Sequence, residues 1–115
     1  MDLGIASAKT VQKASDAGIE DLTGYRMAIR ADEMRHVYRQ RGKEEPDPAQ
    51  VAITENDWEA LPFVWRDPDY AQFRSPDNFI LAKKIDGTLY VADWIRNRRN
   101  KSVVLRTFWK KKSGP

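Results

Sequence analysis

His36 is the only histidine in this 115-residue chain, and there is no cysteine. The missing cysteines exclude disulfides, thiolate metal sites and a thiol nucleophile. No pair of acids is spaced around His36 as metal ligands, so neither a metal nor another cofactor is expected. The glycines stand apart, without a phosphate-cradling loop, and no nucleophile-elbow pattern occurs. What remains is one imidazole, a large supply of lysine and arginine, and hydroxyls near the C-terminus. That set suffices for one demanding reaction, metal-independent cleavage of RNA. A base takes the proton of a 2′-hydroxyl, a cation stabilises the phosphorane, and an acid protonates the departing 5′-oxygen. His36 suits the acid or base role because its unperturbed pKa lies near neutrality. A surface histidine with no role fits the same position.

The cations are unevenly placed. The net charge is +3, yet Arg96, Arg98, Arg99, Lys101, Arg106, Lys110, Lys111 and Lys112 fall in one acid-free stretch of 17 residues. The other 98 residues hold 12 basic and 17 acidic side chains. A cluster of that density attracts phosphate and releases counterions on binding it. Arg96, Arg98, Arg99, Lys101, Arg106 and Lys110 are therefore the candidate RNA-binding residues. A solvated edge strand with a Lys-rich tail is the plainer alternative.

These residues need elements to hold them. Hydrophobic residues make up 41% of the chain, enough for one small core. No apolar run approaches a membrane span, and the N-terminus lacks a signal-peptide pattern. Residues 7–17 read as a short, weakly docked helix ended by Gly18. Residues 1–20 are expected to be a helical or linker segment, and 21–115 a single domain. Residues 25–30 alternate as a strand. A helix is expected from Asp32, its N-cap, to Gly42, with Met34, Val37, Tyr38 and Arg41 on one stripe. His36 projects nearly opposite that stripe, and the stem of Arg41 lies where it can cover the core.

Residues 43–50 read as a Pro-broken loop and Val51-Ala52-Ile53 as a brief strand. Thr54 and Asp57 make a capping-box-like start to a short helix carrying Trp58, Leu61 and Trp65, interrupted by Pro62. Both tryptophans are expected in the core. Arg66 to Asn78, with two prolines, reads as loop. Phe79–Ile85 and Thr88–Ile95 flank an Asp86-Gly87 turn, a strong hairpin signal. Its register puts Phe79, Leu81, Lys83, Ile85, Thr88, Tyr90, Ala92 and Trp94 on one face. Ile80, Ala82, Lys84, Leu89 and Val91 fall on the other. Ser102–Trp109 makes a third antiparallel strand. The expected fold is α+β, with N-terminal helices packed on an antiparallel sheet that ends in a C-terminal meander.

Several stretches also resemble a known family. Tyr25-Arg26-Met27-Ala28-Ile29-Arg30 followed by Arg35-His36-Val37-Tyr38-Arg39-Gln40-Arg41-Gly42 resembles a strand and an "Arg-His-x-x-x-x-His-Gly" helix. Gln50–Trp58, Leu61-Pro62 and Ile80–Thr88 continue the likeness. Leu105-Arg106-Thr107-Phe108-Trp109-Lys110 is similar to a closing Lys-Thr-x-Tyr-Lys. These are features of the phage-associated nuclease domains of the barnase–EndoU–colicin–RelE superfold, found in phage Mu F-like head proteins and polymorphic toxins. The likeness is collinear over about residues 24 to 112.

The resemblance implies a metal-independent endoribonuclease, with His36 as acid or base, Lys83 stabilising phosphate charge and Thr107 positioning the scissile phosphate. It implies RNA as partner, and an immunity or antitoxin protein as a second one. The place of action would be the cytoplasm of a target or host cell, with no membrane. Two positions depart: Arg41 stands at the second histidine and Trp109 at the tyrosine. Arginine keeps the cation but cannot shuttle a proton, and tryptophan keeps the ring but has no hydroxyl. A non-catalytic RNA-binding or protein-interaction domain, or a phage assembly surface, is the competing reading. If the site is catalytic, His36, Lys83 and Thr107 converge on one concave face of the sheet.

Overall fold

The computed structural model describes residues 1–29, 31, 32, 34, 35, 50, 51 and 53–112, with 50 and 51 described as backbone. The elements in chain order are β1 (Asp2–Ile5), α1 (Ala8–Asp16), β2 (Arg26–Ala28) and β3 (Gln50–Val51). A 3₁₀ helix (Glu55–Ala60), α2 (Leu61–Arg66), β4 (Tyr70–Ser75), β5 (Asn78–Ile85), β6 (Thr88–Asn97) and β7 (Ser102–Lys112) follow. Ala31, Asp32, Met34 and Arg35 are helical, at the start of the helix expected from Asp32. The rest of that helix, including His36 and Arg41, lies outside the described residues.

The hairpin forms in the expected register, Phe79 opposite Trp94 and Ile85 opposite Thr88. Asp86 (φ 49°) and Gly87 (φ 77°) both take the positive φ that a tight two-residue turn requires. β7 then pairs antiparallel along nearly all of β6.

The class is α+β, but three expectations about the sheet change. Residues 66–78 are not all loop, because Tyr70–Ser75 forms β4 and pairs antiparallel with β5. Pro68 and Pro76 bracket this strand rather than interrupt it, so neither removes a ladder donor. The sheet is also not wholly antiparallel. Its order is β1-β2-β7-β6-β5-β4, with β3 also on β7, and β2 runs parallel to β7. Finally, the helices are not all N-terminal, since the 3₁₀ helix and α2 lie between β3 and β4.

The helices cover one face of the sheet. Trp65 of α2 packs on Trp94 of β6 with ring centroids 5.3 Å apart, and Trp58 packs on Phe108 of β7 at 5.4 Å. Both tryptophans are core residues, as their spacing implied. Pro62 falls in the first turn of α2, where its missing N–H costs nothing, so the chain passes from 3₁₀ to α at that point. Residues 1–20 share this core through Leu3, Ala14 and Ile19. Polar ties reinforce them. The Ser7 hydroxyl caps α1 by accepting from Thr10 N (3.0 Å) and donates to Arg66 O (2.6 Å). Thr10 donates to Trp65 O, and Trp65 Nε1 donates to Gly4 O (3.1 Å). Helix α1 is therefore bound to α2 more firmly than its small apolar stripe suggests.

Candidate functional site

None of the described helices packs on the opposite face of the sheet, called here the open face. The alternation of β4–β7 aligns its side chains in cross-strand rows. One row reads Gln72–Ile80–Asp93–Thr107, and the next Tyr70–Ala82–Val91–Trp109. Ile80, Ala82 and Val91 form a small buried cluster against which Leu89 and Trp109 pack.

The register of β6 against β7 shifts between Asp93 and Trp94, so that Thr107 faces Asp93 while Leu105 faces Trp94. Arg106 is the extra residue of this bulge. A bulge sets two residues of one strand against a single residue of the other and re-aims the side chains there. The result is a polar cluster in an otherwise apolar sheet. Arg106 Nη1 lies 3.6 Å from Asp93 Oδ2, with the arginine 60% exposed and the aspartate 8%. Asn78 Nδ2 donates to Asp93 Oδ1 and to Trp94 O (2.9 Å). Thr107, across from Asp93, is 9% exposed. Asp93 is the only acid in strands β4–β7. A buried carboxylate survives there because amide and guanidinium donors replace its water.

The expected site residues do not all meet at this cluster. Thr107 and Trp109 share the open face. Lys83, paired with Tyr90, lies on the helix-covered face, so Lys83 and Thr107 do not converge. The odd spacing between Tyr90 and Asp93 puts a sheet's thickness between them. Lys83 Nζ instead donates to Asp67 Oδ2 (2.8 Å) and lies 3.7 Å from Asp69 Oδ1. The hydrogen bond to Asp67 raises its pKa in spite of desolvation. Convergence with His36, and any role of Arg41, fall outside the described residues.

The basic stretch is likewise divided by the pleat. Arg96 is 4% exposed; its guanidinium lies 4.8 Å from the Tyr25 ring centre and donates to Asp21 O (3.2 Å) and Glu20 O. Arg98 is paired with Glu20 (2.6 Å) and Asp77 (2.7 Å). These two arginines fasten the segment before β2 to the end of β6. Lys110 Nζ bonds Asp57 Oδ2 (2.7 Å) beneath the 3₁₀ helix, where Tyr90 Oη also donates to Asp57 Oδ1 (3.1 Å). Burial pushes Asp57 up, but Lys110 and the Thr54 donors outweigh it and hold the carboxyl below its ordinary value. Arg99 and Lys101 are exposed in the β6–β7 turn, and Arg106 alone of the six expected RNA contacts is at the bulge.

The site also contains residues that the sequence did not single out. Asp93 and Asn78 complete the bulge cluster, and Tyr70 and Arg74, together with Lys111 of the basic stretch, line a groove of about 460 Å³ beside it. Counting from the hairpin turn puts Asp93 on the face of Val91, which was the available signal. Tyr70 and Arg74 were hidden in a stretch read as loop.

Helices on one side of a meander and a polar bulge on the other define a small α+β domain with one sheet face that no described helix covers. The comparison with protein families names the class more closely. Residues 5–114 match the family model for the phage-Barnase-EndoU-ColicinE5/D-RelE like nuclease 3, and the chain belongs to that family. The match includes α1 within the family's domain. No curated protein and no solved structure matches the chain significantly.

Proposed function

We propose that the protein is a metal-independent endoribonuclease that works on the open face of its sheet. The observation that carries this reading is the bulge, which sets Arg106 and Thr107 against the buried carboxylate of Asp93. Thr107 positions the scissile phosphate through its hydroxyl, and Arg106 carries the charge that develops on the phosphorane. Asp93 holds Arg106 in place before substrate arrives. When a phosphate takes over the guanidinium, Asp93 is left as a proton acceptor that Arg41 cannot be. His36 is the second proton-transfer group. The 2′-oxygen bonds to phosphorus, its proton passes to the base, and the 5′-oxygen departs with a proton from the acid, leaving a 2′,3′-cyclic phosphate. In a phage or toxin setting the site acts in the cytoplasm of the target cell, and an immunity protein restrains it.

Cleavage of a short RNA in EDTA tests the reading, with the 2′-deoxy oligonucleotide as an inert control. Thr107→Val should cut the rate about 10²-fold or more with the fold intact. His36→Ala should cost about 10²–10⁴-fold, and Arg41→His should raise activity if a proton shuttle is what the chain lacks. A folded protein that binds RNA and cleaves none, with or without Arg41→His, would leave the non-catalytic binding domain as the better reading.

A further inference from the structure

The row Tyr70–Ala82–Val91–Trp109 crosses four strands, with an aromatic side chain at each end and two small ones between. Three strand spacings separate its ends by about 14 Å. Tyr70 is 59% exposed on the edge strand. The groove over this row has Arg74 and Lys111 on its walls and no carboxylate among its lining residues. Arg74 is exposed and makes no ion pair with a described residue. An apolar floor, an exposed tyrosine ring, a half-buried tryptophan and two cations with no carboxylate among the lining residues suit an unpaired nucleic-acid strand, whose bases offer π-faces and whose backbone offers phosphates. A peptide strand would gain nothing from two cations without an acid of its own.

We infer that Tyr70 and Arg74 form a distal nucleotide subsite, reached by a single strand that crosses the sheet from the bulge at Arg106–Thr107 to the edge strand β4. Tyr70 stacks a base and Arg74 neutralises a phosphate, while the chemistry stays at β7. The inference rests on the open face being a nucleic-acid surface. It goes beyond the nuclease reading by making substrate length a determinant of affinity.

Binding of uncleavable 2′-deoxy oligonucleotides, from dinucleotide to octanucleotide, tests it by fluorescence anisotropy. Affinity should step up about tenfold or more once the strand is long enough to reach Tyr70. Tyr70→Ala should abolish the step without changing the affinity of the shortest ligands, and Tyr70→Phe should retain it. Arg74→Gln should lower the salt slope for long ligands by about 0.7 and leave that for short ones alone. A step that persists in Tyr70→Ala, or no step in the native protein, overturns the subsite. Cleavage of a short RNA without any length step leaves the nuclease reading standing and removes the subsite. A Tyr70-dependent step without cleavage does the reverse.

Discussion

Lys83 and Lys110 lie on the same covered face of the sheet, and each is engaged by a carboxylate from the helical layer. They differ in exposure and so in consequence. Asp67 is half-exposed, and its hydrogen bonds to Lys83 and then Lys9 hold its pKa at about 2, against an ordinary 3.8. Its folded-state pKa is depressed, so the pair stabilises the fold above the unfolded value and loses that contribution as pH falls through the folded one. Urea midpoints should therefore drop between about pH 4 and pH 2, and Asp67→Asn should flatten that limb. Asp57 and Lys110, by contrast, are 7% and 15% exposed. Lys110→Met strands a buried carboxylate and should cost about 3 kcal/mol in chemical denaturation. Restoring much of that stability with Asp57→Asn in the same chain would confirm that the penalty is the uncompensated charge. Such structural uses of lysine cannot be told from phosphate contacts by residue type. Lys83 matched a motif, yet its pairing with Tyr90 already put it on the core side.

The hairpin is the element most plainly written in the chain, because Asp86-Gly87 specifies both a turn and a register. Gly87→Ala should cost about 1 kcal/mol, since alanine resists φ near 77°, and denaturation at neutral pH would measure it. Asp93 and the faces of β5 and β6 follow from that turn by counting in twos. The count fails on β7, where the bulge at Arg106 changes the parity. No local pattern marks that bulge, so the meeting of Arg106 and Thr107 against Asp93 becomes visible only in three dimensions. β1 was illegible for a different reason. Leu3 is its one fully buried apolar residue, and it is held to β2 by backbone pairing and an exposed Arg26–Asp2 ion pair rather than by an apolar pattern. β4 buries no residue fully; Ala71 alone of its residues packs on the main core and the rest are exposed, so it shows no apolar alternation.

At the scale of the molecule, the charge asymmetry of the sequence becomes a division of labour. Some cations of the last stretch tie elements together, as Arg96, Arg98 and Lys110 do; Lys111 lines the open groove and Arg106 stands beside Asp93 at the bulge. Nucleic-acid affinity should therefore fall with salt less steeply than eight free cations would give. A log–log slope of roughly −3 on a single strand, read by titration, corresponds to about four phosphate contacts. Arg96→Gln should lower the melting temperature before it changes that slope. The strand order has one more consequence. β7 bonds to β6, β2 and β3, so the last strand in the chain is the hub of the sheet. A nascent chain that has not yet released β7 from the ribosome lacks the partner of three strands, together with Arg106, Thr107 and Trp109. Such long-range pairing forms late, because loop closure must precede the contacts that reward it. The open face is thus assembled only after β7 has emerged, whatever the other strands have already done.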